Sequence, residues 1–529
     1  MQKHNLNFRE TANFFNDYLK LDANVNLMTQ TIKNRPTSGG YYMNPLVGLY
    51  GFPRGEDLSE YKNNFEVFDP ARNMNVQNWY TSYQDMEQNP YWITNRNMFN
   101  TGKDRFLFGA SLKYDVTDWL DITGRARIDY THITAEQKNY ASTLGLFAGD
   151  KGRYYNNTYT TSQRYADVLA NFHKTFADGA FSLNATLGAS IEDYKHRAIL
   201  LGGDLTGVPN LFTLANMTTN KSQAKETIND QTQSLFATVQ LGYKNMVFLD
   251  VTARNEWASQ LAFTPHMNIF YPSVGLSAVI SSMADLSKAG ISFLKVRGSY
   301  AEVGNAPQRF ITGVNTPLLT GGIVSSDSYA PAVNLTPERT KSFEAGLNAK
   351  FLGNRIWMDF TYYNTNTYNQ LFSYDAPPST GYKRAYVNAG KVNNWGIEAV
   401  VGYKNKWRDF SWSTNVNFSM NRNKIKELVP EGTRDPDTGS LVDIKEVNKD
   451  YNGYRVKLVE GGSIGDFYVK GLLTDDKGHI YVDPNSNTVL LDPDPEAYIF
   501  AGNTEARFRW GWNNQFSYCL LYTSPSPRD

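Results

Sequence analysis

Strict alternation of apolar and polar residues over Phe410–Asn421 (FSWSTNVNFSMN) is the feature that most limits how this chain can fold. Period-two alternation predicts a β-strand with one apolar face and one wet face. The wet face carries small neutral polar residues instead of the Lys and Glu of a soluble surface. This combination is typical of a transmembrane β-barrel, which meets lipid outside and encloses a polar lumen.

The same alternation recurs along the whole chain. Each segment runs for about nine to eleven residues, which is enough to cross a bilayer when the strand is tilted. We therefore predict an all-β fold, a transmembrane antiparallel β-barrel. The segments are 19–27, 106–114, 120–130, 181–189, 235–243, 247–253, 294–300, 343–351, 356–362, 397–403 and 506–512.

Composition excludes several other classes of protein. No run of about 18 apolar residues occurs, which argues against a spanning helix, and the mean hydropathy is −0.49. Lys plus Arg and Asp plus Glu are 52 each, so the basic excess of a nucleic-acid-binding protein is missing. A single cysteine, Cys519, leaves no disulfide framework. Aromatic residues make up 14% of the chain, which suits the aromatic girdles of a barrel.

The connections between the predicted strands alternate between short and long. Tight turns are predicted at 243–246, 352–355 and 405–409. Short turns at one rim and long loops at the other are typical of bacterial outer-membrane barrels. The long polar connections are 28–105, 131–164, 191–234, 301–342, 364–395 and 421–504.

Motifs for catalysis and cofactor binding are missing from the sequence. The six His residues are scattered without metal-ligand spacing, and no phosphate loop, dinucleotide fingerprint or nucleophile elbow occurs. Asp483–Asn487 resembles half of a calcium loop, but the Gly of that loop is replaced by Thr488, so a turn is the better interpretation. Asp475–Gly478 is predicted to be a hairpin tip. We expect a protein that is not an enzyme and needs no cofactor.

The two ends of the sequence are unusual for an exported barrel. Residues 1–15 lack the basic and apolar regions of a signal peptide, so we expect a fragment whose export signal lies upstream. Residues 519–529 (CLLYTSPSPRD) break the strand pattern with Pro, which cannot donate to a strand ladder. We expect residues 1–518 to be a partial barrel domain and 519–529 a non-native, adapter-like tail, the alternative being a genuine disordered tail.

Five longer motifs resemble SusC/RagA-type, TonB-dependent outer-membrane transporters of Bacteroidota. Residues 387–401 (VNAGKVNNWGIEAVV) resemble the N-x-G-x-V-x-N-x-G-x-E signature, and 459–469 (VEGGSIGDFYV) resemble EG-x-S-I-G-x-F-Y. The other three occur in the family's order at 271–281 (YPSVGLSAVIS), 294–305 (LKVRGSYAEVGN) and 335–372, which contains LTPERTKSFEAG.

The resemblance implies a 22-stranded barrel with an internal plug, of which this chain would be an incomplete part lacking the plug and the C-terminal strands. It implies TonB-dependent import of oligosaccharides or peptides, with a SusD-like surface lipoprotein as lid. TonB would act through a TonB box that this fragment lacks. Two alternatives stay open: a siderophore or cobalamin receptor, which the motifs disfavour, and a secreted β-rich carbohydrate-binding protein, which would have charged solvent faces.

Candidate site residues are aromatic residues of the long connections, which could stack on sugar rings; the competing interpretation is packing within loops or at the membrane interface. Arginines on wet faces (Arg125, Arg127, Arg254 and Arg297) could line the lumen, although charge pairs with neighbouring strands or the plug are the favoured interpretation. The aromatic candidates are Tyr41, Tyr42, Trp79, Tyr80, Tyr91, Trp92, Tyr154, Tyr155, Tyr382 and Tyr386.

Overall fold

A computed structural model describes most of the chain as two compact units. The first unit comprises 1–169 and 190–232, and the second comprises 170–189 and 233–529. Side chains are not described at 222–226, 378 and 521–523. The described residues are 1–35, 42–81, 87–217, 222–313, 329–376, 378–435, 439–451, 453–519 and 521–523.

The first unit is built from long antiparallel strands with a small folded segment between the second and third of them. Strands β1, β2, β5 and β6 are hydrogen-bonded neighbours in that order, and β3 pairs with β4 as a separate hairpin. The elements are β1 (Gln2–Phe14), β2 (Leu19–Lys33), α1 (Pro45–Gly51), α2 (Leu58–Asn63), β3 (Glu66–Asp69), β4 (Met74–Gln77), α3 (Pro90–Arg96), β5 (Asn97–Thr117) and β6 (Leu120–Asn139).

Three further strands have residues in both units: β7 (Arg153–Phe176), β8 (Phe181–Asp204) and β9 (Ser222–Tyr243). In the second unit, seven strands pair in chain order, followed by β21 and β22, and β17 to β20 form a separate four-stranded sheet. These elements are β10 (Val247–Ala258), β11 (Asn268–Val279), β12 (Ile291–Asn305), β13 (Glu338–Phe351), β14 (Ile356–Asp375), β15 (Arg384–Trp407), β16 (Phe410–Glu427), β17 (Glu446–Tyr451), β18 (Tyr454–Val459), β19 (Asp466–Lys470), β20 (Tyr498–Asn503), β21 (Arg509–Tyr518) and β22 (Leu521–Thr523).

Strand register keeps the apolar alternates opposite one another, as the period-two pattern predicts. In the second unit, one row of directly paired residues crosses seven strands from β10 to β16. Val416 and Phe418 on the apolar face of β16 are 44% and 37% exposed, as expected of side chains that meet lipid. The row is Leu249, Leu276, Gly298, Ala345, Tyr362, Ile397 and Met420.

The tight turns at 243–246 and 352–355 lie where the sequence predicts them, and the third is shorter than predicted, because 405–407 belong to β15. Lys244 and Asn245 have φ of 48° and 54°, and Gly353 has φ of 65°, so both turns use left-handed backbone. The hairpin tip at 475–478 is confirmed by a bridge between Thr474 and Ile480 on either side of it.

The predicted strand lengths and loop boundaries are wrong. Strands β5 to β9 and β14 to β16 run for 18 to 24 residues, so they continue into segments predicted to be loops, such as 131–139 and 153–164. Polar residues are common on both faces of these extensions, so the alternation that marks a strand is lost there. Strand β1, which pairs with β2 over its whole length, was also not predicted.

Close-packed apolar cores lie at the long-connection ends of the strands rather than along the sheet. Trp92, Met217, Leu261, Ile425 and Leu428 are each less than 2% exposed. None of the helices in the described part of the chain is long and apolar enough to span a membrane. The long connections are therefore folded platforms on which candidate binding residues can be positioned.

Candidate functional site

Two of the aromatic candidates form the centre of an aromatic cluster in the folded segment that connects β2 to β5 along the chain. The rings of Trp79 and Tyr80 lie 5.1 Å apart, and both contact Phe52, at 5.2 Å and 5.5 Å. The Tyr80 hydroxyl donates to the Gly51 carbonyl at 3.2 Å and to the Glu87 carboxylate. Burial and the Glu87 carboxylate raise the pKa of Tyr80 to about 12. Trp79 is buried.

Trp92 lies on helix α3 in the same folded segment. It is fully buried, and its indole Nε1 donates to Thr143 Oγ1 at 2.9 Å. Asn89 caps the N-terminus of helix α3, its side chain accepting from Tyr91 N at 2.8 Å. Tyr91 stays half-buried, with Lys62 Nζ 5.9 Å from its ring.

At the start of β7, one tyrosine is buried and its neighbour is not. Tyr154 packs with Leu205 and Met217, and its hydroxyl donates to Glu136 at 3.1 Å. Tyr155 is half-buried. Tyr42 is also half-buried, with its carbonyl accepting from a Gln88 side chain, and Tyr41 lies outside the described residues.

In the second unit, the ribbon formed by the ends of β14 and β15 sorts its side chains onto two faces. Ala385, Val387 and Ala389 of β15 point into apolar cores, joined there by Phe372 and Tyr374 of the facing strand. The intervening residues of β15 lie on the opposite face, because side chains alternate along a strand. That face carries Tyr386 and Asn388.

A cavity of about 460 Å³ opens on this second face of the ribbon. Tyr386 stacks on Tyr329, with ring centroids 5.1 Å apart and planes inclined by 17°. A parallel bridge between Tyr329 and Arg384 holds the two segments together, and Ala330 N donates to the Arg384 carbonyl at 2.8 Å. The described lining residues are Ala306, Pro307, Gln308, Tyr329, Leu335, Thr336, Glu338, Leu371, Ser373, Tyr386 and Asn388.

Hydrogen bonds fix the polar wall of this cavity. Asn388 Oδ1 accepts from Thr336 N at 2.8 Å, and its Nδ2 donates to the Thr336 carbonyl at 2.9 Å. Glu338, the first residue of β13, accepts from Leu371 N at 3.2 Å. Tyr382 does not line the cavity; it packs against the apolar core around Ala385.

Two of the four wet-face arginines, Arg125 and Arg297, are bound to neighbouring strands, as the charge-pair interpretation predicts. Arg125 makes two hydrogen bonds to the Asp167 carboxylate, at 2.9 Å and 2.6 Å. Arg297 donates to Asn348 at 2.6 Å and lies 3.3 Å from Asp359. Gly346 makes room for Arg297, since a Cβ there would lie 2.5 Å from its Nε.

The remaining arginines of the candidate set differ from one another. Arg254 pairs with Glu256 of the same strand at 2.8 Å. Arg127 lines a second cavity, of about 720 Å³, together with Arg105, Asp129 and Glu192 in the first unit. This cavity is walled by charged groups of both signs.

The sequence patterns single out Tyr386 but not Tyr329 or Glu338, which line the same cavity. Tyr329 lies in a long polar connection without periodicity, and Glu338 was noticed only as part of a family motif. Only the fold shows that these segments meet.

The family profile described as TonB dependent receptor-like, beta-barrel matches residues 34–517. The chain belongs to this family. The resemblance to SusC/RagA-type transporters is thereby confirmed, and the TonB-dependent receptor barrel is assigned, like its family, to the outer membrane.

Named relatives agree with this assignment. TonB-dependent receptor P3 of Formosa agariphila is 24% identical over 474 residues, covering 83% of this chain and 45% of that protein. TonB-dependent receptor SusC of Bacteroides thetaiotaomicron is 22% identical over 533 residues, covering 92% of this chain and 50% of that protein. The chain thus spans about half the length of the curated relatives that it matches.

Solved structures show the same fold. The RagAB peptide importer in its open-open state superposes with a TM-score of 0.78 at 17% identity, covering 98% of this chain and 56% of that one. Its closed-closed state gives a TM-score of 0.74 at 16% identity. At such identities the likeness establishes the fold of the barrel alone.

Proposed function

We propose that the whole protein to which this barrel belongs is a TonB-dependent importer of oligosaccharides or peptides. The observation that carries the proposal is the family match over residues 34–517. The relative named SusC and the fold shared with the RagAB peptide importer support both classes of cargo. Transport of this kind needs binding and gating but no covalent chemistry by the barrel.

The proposed partners are TonB, which would supply energy from the inner membrane, and a SusD-like lipoprotein over the long connections. Strand direction supports this placement of the lid. Within the second unit, short turns such as 352–355 lie at one end of the strands, and the long connections lie at the other. In outer-membrane barrels the longer loops are extracellular. The folded connections would therefore face a surface lipoprotein.

The aromatic residues of the connections remain proposed ligand contacts where they are accessible. Tyr42, Tyr80, Tyr91, Tyr155, Tyr382 and Tyr386 are partly exposed, so each presents some ring surface. Trp79, Trp92 and Tyr154 are buried and would act by holding the platform in place.

The test is uptake by cells that carry the complete gene. The gene, with a neighbouring lipoprotein gene, would be expressed in a Bacteroidota strain lacking both, and uptake of labelled oligosaccharide and peptide pools would be measured. We expect uptake of one pool that stops when a protonophore dissipates the proton gradient. Uptake of an iron siderophore or cobalamin, with neither pool imported, would refute the proposal.

The DNA on either side of this reading frame offers an independent check. An adjacent gene for a SusD-like lipoprotein is expected if the lid is part of the system. A locus that encodes no surface lipoprotein would remove the proposed partner while leaving the barrel assignment intact.

A further inference from the structure

We propose that the cavity beside Tyr386 binds a neutral sugar residue of an oligosaccharide and discriminates against acidic sugars and peptides. The inference rests on the proposed function in one respect: it names the cargo class that this barrel would select. It is carried by the chemistry of the cavity wall.

The stacked tyrosines form a rigid platform for the apolar face of a sugar ring. Tyr386 lies between Ala385 and Val387, both buried, which fixes its backbone. Tyr329 covers one face of the Tyr386 ring, at a centroid distance of 5.1 Å. A preordered ring loses little conformational freedom on binding, so contact with the C–H face of a sugar can appear as affinity.

Charge selects against acidic ligands. Glu338 is the only charged residue among the described lining of the cavity. One of its oxygens accepts from Leu371 N, and an ionised carboxylate can accept further hydrogen bonds from sugar hydroxyls. A carboxylate or sulfate on the ligand would meet this negative charge. Arg384, whose side chain hydrogen-bonds Tyr329, lies 3.4 Å from the Asp375 carboxylate, which offsets its positive charge.

Part of the backbone at the cavity wall is already paired, which leaves fewer partners for an extended peptide. The Thr336 N–H and carbonyl are both taken by Asn388, and Leu371 N–H is taken by Glu338. Extended peptides are commonly held by unpaired backbone groups of a strand edge. The described wall has no basic side chain to receive a peptide carboxylate. A volume of about 460 Å³ lies within the range of small-molecule sites.

The test is equilibrium binding to the complete protein purified in detergent. The probes are labelled neutral hexasaccharides of glucan, xylan and mannan, a hexagalacturonate, and a neutral hexapeptide. We expect at least one neutral hexasaccharide to bind. Hexagalacturonate should bind at least about tenfold more weakly, because a like-charge contact near a protein surface costs more than one factor of ten in affinity.

Variants assign the effect to this cavity. Tyr386→Ala should weaken neutral-sugar binding by about threefold to tenfold, which is the contribution of one aromatic contact. Tyr386→Phe should keep most of the affinity. Glu338→Gln should reduce the difference in affinity between the neutral hexasaccharides and hexagalacturonate. Tyr50→Ala is the control, because Tyr50 is 84% exposed and lies outside the cavity wall, and it should leave binding unchanged. Heat-dependent gel mobility verifies that each variant barrel is folded.

Three results would overturn the inference: equal binding of hexagalacturonate, hexapeptide binding that is lost in Tyr386→Ala, or no binding of any hexasaccharide. The proposed function fails separately. Sugar binding by the purified protein without proton-gradient-dependent uptake by cells would refute import but keep the site. If cells carrying Tyr386→Ala import as well as the wild type and the purified protein shows no sugar affinity in this cavity, the proposed site is refuted but the proposed import function is not.

Discussion

Replacing Trp92 tests whether an aromatic residue of the long connections acts by packing or by binding ligand. Trp92 is fully buried, and Trp→Ala substitutions in such sites cost about 3–5 kcal/mol from lost burial and the cavity left behind. Its indole also donates to Thr143 Oγ1, whose own hydroxyl proton goes to Asn97. Losing that donor adds about 1 kcal/mol. We expect Trp92→Ala to destabilise the segment around α3 by about 4–6 kcal/mol.

Hydrogen exchange of the intact protein in detergent measures this loss directly. The Ile93 N–H, which donates to Asn89 within α3, reports opening of the segment. A loss of about 4–6 kcal/mol raises the opening equilibrium by about three to four orders of magnitude, because each 1.4 kcal/mol is tenfold. Trp92→Phe, which retains a six-membered ring, should give a smaller increase. Tyr50→Ala is the control, since Tyr50 is 84% exposed.

The packing argument would be refuted if Trp92→Ala left hydrogen exchange at the Ile93 N–H as slow as in the wild type and at the same time weakened oligosaccharide binding. That combination would show that the side chain contacts ligand and that its burial adds nothing to the stability of the segment.

Two further predictions concern other parts of the fold. A Cβ at Gly402 would fall on the indole ring of Trp357, well inside the 3.0 Å limit of real Cβ contacts. Gly402→Val should therefore abolish the heat-resistant band that a folded barrel gives on gels. Gly124→Ala is the control and should keep that band, because a Cβ at Gly124 has nothing within 4 Å. Tyr80, with its pKa at about 12, should ionise later than exposed tyrosines in a spectroscopic titration, and Glu87→Gln should lower that pKa. Because the folded state holds this proton more tightly than the unfolded state, stability should fall as the pH rises from about 10 to about 12.

The membrane-facing part of the fold could be predicted because lipid and lumen impose opposite demands on successive residues. In β16, every second side chain from Phe410 to Met420 is apolar or Thr, and the structure places those side chains on one face, in register with β15. The physical cause is local, so a window of twelve residues suffices to detect it.

Strand extensions beyond the membrane could not be predicted in the same way. The first half of β7, residues 153–163, carries Tyr, Asn and Thr on both faces, so no alternation marks it as a strand. Its strand conformation comes from hydrogen bonding within the sheet. Strand β1 is exposed along almost its whole length, and its sequence is correspondingly mixed.

The candidate site was only partly predictable because residue type does not determine burial. Trp79, Trp92 and Tyr154 resemble Tyr386 as aromatic residues of polar connections, yet they are buried and Tyr386 lines a cavity. The contact of Tyr386 with Tyr329 depends on a parallel bridge between distant segments. No sequence period marks such a bridge.

The cross-strand rows constrain how the length of this barrel can change during evolution. Leu249, Leu276 and Met420 lie in one row that passes through seven strands, and each strand shares its register with two neighbours. Insertion of a single residue into one strand would exchange the two faces of the rest of that strand, so that its lipid-facing side chains would point to the lumen. Insertions of two would restore the faces but shift the strand by about 6.6 Å against its neighbours. Changes in length should therefore accumulate in the long connections, where new binding surfaces can arise without disturbing the membrane wall.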